Sequence, residues 1–194
     1  MDQISDGVEM KNDEEIARLI QSGRVEFFDA LVKRYEVKIS RYARKFLSDK
    51  DDIGDVLQDI FIKVYTNIKS FDANRKFSSW IYRIAHNELV NALKKRKNKI
   101  LPLIDLDIFL PYNISKDDFN KNNDQQDVKK IVEECLGQLT EKYKEIIILY
   151  YLEELSYKEI ADILQIPVST AGIRIKRGRE MMQSIHKNIK HKYE

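Results

Sequence analysis

Cysteine occurs once in these 194 residues, at Cys135, so neither an intrachain disulfide nor a cysteine-built zinc site can form. Proline occurs three times and glycine six. So few breakers argue against a turn-rich β fold, and abundant Lys, Glu, Ile and Leu favour helices. The longest apolar run, Ile146 to Leu152, is far too short to cross a bilayer. Met1 to Asn12 is polar and acidic, unlike a signal peptide. His86, His186 and His191 have no metal-ligand spacing, and there is no glycine-rich phosphate loop. Cys135 lies in an apolar helical stripe, as a core thiol would. These absences predict a cytoplasmic, reduced protein without direct membrane insertion. They also predict no cofactor, no metal and no catalytic residue.

What is present is helical pattern and segregated charge. Hydrophobic residues make up 43% and charged residues 34%, enough apolar surface for packed cores. The net charge of +2 hides a strong asymmetry. Segment 69–99 carries nine Lys/Arg against Asp72 and Glu88, and segment 169–194 carries seven against Glu180 and Glu194. Between them, segment 100–127 has six Asp against Lys116 and Lys121. Two basic blocks around an acidic one predict two polyanion-binding surfaces joined by a linker.

The periodicity divides the chain accordingly. From Asp13 to about Lys97, apolar residues recur at helical spacing: Ile16, Leu19 and Ile20, then Phe28, Leu31, Val32 and Tyr35, then Ile39, Tyr42 and Ala43. Ser48 to Asp52 is a polar break with capping residues. A helix over about 51–68 follows, with Ile53, Val56 or Leu57, Ile60 and Val64 inward. After a loop over 69–76, a helix over about 78–97 turns Trp80, Ile81, Ile84, Ala85 and Leu89 to the core. Residues 99–127, with Pro102 and Pro111, show no sustained period and read as a linker. Helicity returns with Val128, Ile131, Val132, Cys135 and Leu136 on one stripe. The expected fold is all-α: a tail over 1–12, a helical domain over 13–98, an acidic linker over 99–127 and a second helical domain over 128–194.

Three constellations carry chemistry. Ser156-Tyr157-Lys158-Glu159 is a capping box opening a short helix. Gln165-Ile166-Pro167 ends it, and Ser169 is expected to cap a longer basic helix from Thr170 to about His186. That is a helix–turn–helix, with Ala171, Ile175, Met182 and Ile185 buried and Thr170, Arg174, Arg177 and Met181 opposite. The plain alternative is a helical hairpin with a solvated basic face. In the first domain, Phe71, Phe77, Trp80 and Tyr82 interleave with Lys69, Arg75, Lys76 and Arg83. Rings that stack on unpaired bases beside cations that track phosphates hold single-stranded nucleic acid; the alternative is a core with charges around it. Finally, Asp55, Gln58, Asp59 and Ile62 share one helix face. That face is a docking surface, a solvated surface or, with Asp51 and Asp52, a Mg²⁺ site.

Together these residues resemble the extracytoplasmic-function (ECF) group of the bacterial sigma factor family, over about residues 13–98 and 128–186. Asp55-Val-Leu-Gln58-Asp59-Ile-Phe61 is similar to the family's polymerase-docking signature. Phe77-Ser-Ser-Trp80-Ile-Tyr82-Arg83-Ile-Ala-His-Asn87 and Leu155 to Thr170 match its other two segments. The resemblance implies that Asp55, Gln58, Asp59, Phe61 and Ile62 bind the clamp of the largest subunit of core RNA polymerase. It implies minus-ten promoter contacts by Lys63, Phe71, Arg75, Lys76, Tyr82, Arg83, Asn87 and Asn91. Phe71 would form a pocket wall, and Trp80, which shares the inward face with Ile84, is expected to anchor the loop from beneath. Minus-thirty-five contacts would fall to Ser169, Thr170, Arg174, Lys176, Arg177 and Arg179. An anti-sigma factor is a further implied partner. The chain departs from the family at Ala171-Gly172-Ile173-Arg174, where apolar, basic, small polar and Arg are usual. The rival readings are a stand-alone helix–turn–helix regulator of duplex DNA and a metal-dependent nucleic-acid enzyme using Asp51, Asp52, Asp55 and Asp59.

Overall fold

The computed structural model describes residues 11–100 and 123–193, and these are helical with no strand among them. The chain divides into two compact units, one built mainly on the helices before residue 101 and one mainly on those from Asn123 onward. Most of the expected tail over 1–12 and of the acidic linker over 99–127 lies outside the described residues. Among the described residues, no helix is long and apolar enough to cross a membrane.

The first unit opens with α1 (Asp13–Gln21), fixed by a capping box. The Asn12 side chain accepts from the Glu15 backbone while the Glu15 carboxylate accepts from the Asn12 N–H. A 3-10 turn (Val25–Phe27) leads into α2 (Phe28–Ala43). Helix α3 (Lys50–Asn67) begins where Asp49 Oδ1 accepts from the N–H groups of Asp51 and Asp52. A second 3-10 turn (Ile68–Ser70) and a short loop precede α4 (Phe77–Ile100). The four helices pack on one another around Ile16, Leu31, Ile39, Tyr42, Ile60, Phe77 and Ile81. Val56, not Leu57, supplies the second inward position of α3.

The second unit runs α5 (Asn123–Gly137), α6 (Glu141–Ile147), a π turn (Ile148–Leu152), α7 (Tyr157–Leu164) and α8 (Val168–Tyr193). Its greasiest stretch is its core: Ile146, Ile147, Ile148 and Leu149 are all buried. Cys135 and Leu136 are buried too, but Val128 and Val132 of the expected stripe are exposed. Helix α6 lies so close to α8 that a Cβ added at Gly178 would meet Ile147 Cγ1 at 2.8 Å. Gly178 thus belongs to the buried stripe of α8 with Ala171 and Ile175, whereas Met182 and Ile185, expected to be buried, are only half-buried. The capping box at Ser156 forms as the sequence predicts. Gln165 closes α7 in the left-handed conformation at φ 54°, and its neighbour Ile166 donates to the Ala161 carbonyl.

Candidate nucleic-acid interface

The acidic face of α3 stands free of the core. Asp55, Gln58 and Asp59 are exposed, Phe61 is half-buried, and Ile62 is 52% exposed. Among the described residues no group of three His, Cys, Asp or Glu is placed to hold a metal ion. The Mg²⁺ reading of Asp51, Asp52, Asp55 and Asp59 therefore gains no support. Carboxylates projecting outward with an apolar side chain at one end are suited to contact with another protein.

On another side of the unit, α3 and α4 enclose an open groove of about 590 Å³. Trp80, Asn87 and Asn91 of α4 line it, with Lys63 of α3 and Lys94. Asn87 and Asn91 sit one turn apart, so both side chains present amide donors and acceptors to the same space. Glu88 reaches the groove as well, although its side chain is only 10% exposed, and its Oε1 lies 2.6 Å from Lys63 Nζ. The ammonium is thereby held at one position on the groove wall.

Two assignments change here. Phe71 is buried, 5% exposed, packed at 5.1 Å from the Trp80 ring and 5.4 Å from Phe77. It is the anchor, and half-buried Trp80 lies over it as the groove lining, the reverse of the expected order. Tyr82, expected at the nucleic acid, is also buried, 2% exposed against Tyr42. The cause is helical geometry: Tyr82 sits next to Ile81 and three before Ala85, both fully buried, and so falls on the core side. Arg75, Lys76 and Arg83 are exposed.

Sequence reasoning missed the residues that shape the groove's rim. The loop after α3 is tied down by α1. Gln21 Nε2 donates to the carbonyls of Ile68 and Phe71 at 2.8 and 2.7 Å, and Arg18 Nη2 donates to that of Ala73 at 2.8 Å. Glu14 Oε1 accepts from the Phe77 N–H at 2.9 Å, capping α4 from 63 residues away. Polar side chains on an amphipathic helix read as solvated, and no local pattern marks partners so distant.

In the second unit, α7 and α8 form the helix–turn–helix. The first helical bond of α8 is donated by Ala171 to the carbonyl of Pro167, so Ser169 is the second helical residue and not the cap. Ser169, Ile173, Lys176, Arg177 and Arg179 are exposed, whereas Thr170 and Arg174 are half-buried beside Ala171 and Ile175. Lys176 and Glu180 approach at 4.0 Å on the exposed side.

Two family models match the chain: Sigma-70 region 2 over residues 31–99 and Sigma-70 region 4 over residues 129–182. The ECF RNA polymerase sigma factor SigW of Bacillus subtilis is 33% identical, over 84% of this chain and 91% of its own. The ECF RNA polymerase sigma-E factor of Haemophilus influenzae is also 33% identical, over 91% and 96%. The chain belongs to the ECF group of sigma-70 factors. Its fold agrees: the structure of CnrH in complex with the cytosolic domain of CnrY superimposes with a TM-score of 0.68 at 24% identity, covering 91% of this chain and 97% of that one. RpoE of Bartonella quintana, solved with the anti-sigma factor NepR, gives 0.63 at 22% identity, covering 82% and 96%. In this sigma factor the region 2 match contains the acidic face of α3 and the α3–α4 groove, and the region 4 match contains the helix–turn–helix. Helix α1, which ties down the groove's rim, precedes the matched residues.

Proposed function

We propose that this RNA polymerase sigma factor divides promoter opening among three surfaces. The Asp55, Gln58, Asp59 and Ile62 face of α3, with Phe61, docks on the clamp of the largest polymerase subunit. The α3–α4 groove captures an unstacked base of the minus-ten element. The helix–turn–helix binds the minus-thirty-five duplex. The observation that carries the reading is the convergence of a half-exposed Trp80, two amide side chains one turn apart and a fixed ammonium on one groove. An aromatic face, edge-reading amides and a phosphate-attracting cation are what an extruded base requires, and they offset the few kcal/mol or so of unstacking. Arg75, Lys76 and Arg83 supply phosphate contacts near the groove, and Arg174, Lys176, Arg177 and Arg179 supply them on α8.

In this reading residues 13–98 form the docking and melting domain, 128–194 the upstream reader, and the acidic 99–127 the connection between them. The protein acts in the cytoplasm without catalysis of its own. Its availability is set by an anti-sigma factor, as the NepR and CnrY complexes of its structural relatives suggest. A stand-alone regulator would have no use for the α3 face.

The test is paired. Gln58→Ala with Asp59→Lys should weaken binding to core polymerase while the thermal midpoint stays put. Asn87→Ala should bind core normally, form closed complex normally, and lose open complex on duplex promoters. It should recover on a template pre-melted at the minus-ten element and discriminate less among bases at one position of single-stranded probes. Wild-type discrimination in that variant would remove Asn87 from the pocket; unchanged core affinity in the α3 double variant would remove the docking face.

A further inference from the structure

The outward crest of α8 carries a side chain that no phosphate-binding role explains. Ile173 is 53% exposed. It stands opposite the buried stripe of Ala171, Ile175 and Gly178 and between the exposed Ser169 and Arg177 along the helix. Its neighbour Gly172 has no side chain, and the Tyr157 ring from the start of α7 fills that space: a Cβ at Gly172 would touch the ring at 3.5 Å. Ile173, the Tyr157 ring and Tyr151 border a groove of about 450 Å³ along α8, flanked by Lys176 and Arg179. An apolar spot thus sits beside two cations, on the helix a helix–turn–helix inserts into the major groove.

Isoleucine has neither donor nor acceptor. Of the groups a base pair presents in the major groove, one is apolar: the C5-methyl of thymine. Cytosine carries only hydrogen at that carbon, with its N4 amino group beside it, and pressing that amino group against a butyl side chain would strip its water with no bond in return. Arg174, Arg177 and Lys176 bring phosphates to the same helix, and the charge match commits the surface to duplex DNA. We propose that Ile173 is a specificity-determining residue that reads a thymine methyl in the minus-thirty-five element, with the Tyr157 ring extending the apolar contact. The inference rests on reading α7 and α8 as the upstream duplex reader.

The experiment uses the full chain assembled with core polymerase. A preferred upstream duplex is selected from a randomised library, and each thymine in it is then replaced singly by deoxyuridine, which removes the methyl and nothing else. At one position, wild-type holoenzyme should lose about fourfold in affinity, the worth of one buried methyl. Ile173→Ala should bind the thymine and deoxyuridine duplexes equally, with core affinity and thermal midpoint unchanged, and Ile173→Val should keep part of the difference. If the wild type selects a duplex yet is indifferent to every deoxyuridine, methyl reading is wrong while the upstream reader stands. A penalty that persists in Ile173→Ala would assign the methyl to another side chain and equally overturn the proposal. If no upstream duplex is selected at all, the reading of α7 and α8 itself fails.

Discussion

Lys63 of α3 and Glu88 of α4 form an ion pair of 2.6 Å across the groove that separates their helices. A carboxylate beside the surface proposed to bind nucleic acid is unfavourable unless it does something for the cations there. Glu88 is nearly buried and Lys63 half-exposed, so the carboxylate is the fixed partner and the ammonium the one it positions. Glu88→Gln keeps the shape and removes the charge. We expect a destabilisation of about 1 kcal/mol, since the lysine retains access to water. Single-stranded DNA should bind more tightly with a steeper salt dependence, as the Lys63 charge is no longer offset by a neighbouring carboxylate. Urea melts and salt titrations check both. Unaltered salt dependence would mean that Lys63 does not face DNA.

The exchange of Phe71 and Trp80 separates a core role from a binding role. Phe71→Ala should cost about 3–5 kcal/mol, the usual loss for a buried phenylalanine, and weaken every function together. Trp80→Ala should cost less stability and more single-stranded binding. Trp80 is the chain's one tryptophan, so its fluorescence reports the groove alone. Adding a minus-ten single strand should quench or shift it, and Asn87→Ala should reduce that response. An emission spectrum blind to DNA would place the base elsewhere.

Two glycines of α8 predict opposite signs. At Gly178 a methyl would lie 2.8 Å from Ile147 Cγ1 and 3.1 Å from its Cδ1, inside a packed interface. Gly178→Ala should destabilise by about 1–3 kcal/mol despite the better helix propensity. At Gly172 the added carbon meets the Tyr157 ring at an ordinary 3.5 Å. Gly172→Ala should stabilise by up to about 1 kcal/mol. Thermal melts of the two variants decide it.

Burial holds the Cys135 thiol above its ordinary pKa, with a smaller contribution from Glu134. The neutral thiol is the form the core accepts. Above the ordinary thiol pKa the unfolded chain ionises first, so this group's contribution to stability is full at neutral pH and falls as the medium becomes alkaline. Native protein at pH 7 should react with a thiol reagent far more slowly than urea-unfolded protein. Equal rates would mean that the second unit opens readily around Cys135.

The sequence by itself determined the helices, the two units and the capping box at Ser156, because each rests on short-range physics. A capping box such as Ser156–Glu159, a 3.6-residue stripe such as Ile53, Ile60 and Val64, and the scarcity of proline act within a few residues. The motif spacing likewise marked the family. Tertiary structure decided which members of a mixed aromatic and basic segment face out. Phe71, Trp80 and Tyr82 are alike in composition, and their burial depends on which helix lies above each. Gln21, Arg18 and Glu14 of α1 became the ties of a loop some fifty residues on, since a hydrogen-bonding side chain carries no mark of its partner. Nothing in the sequence marks Gly178, because only the approach of Ile147 from a second helix makes the lack of a side chain there a packing requirement.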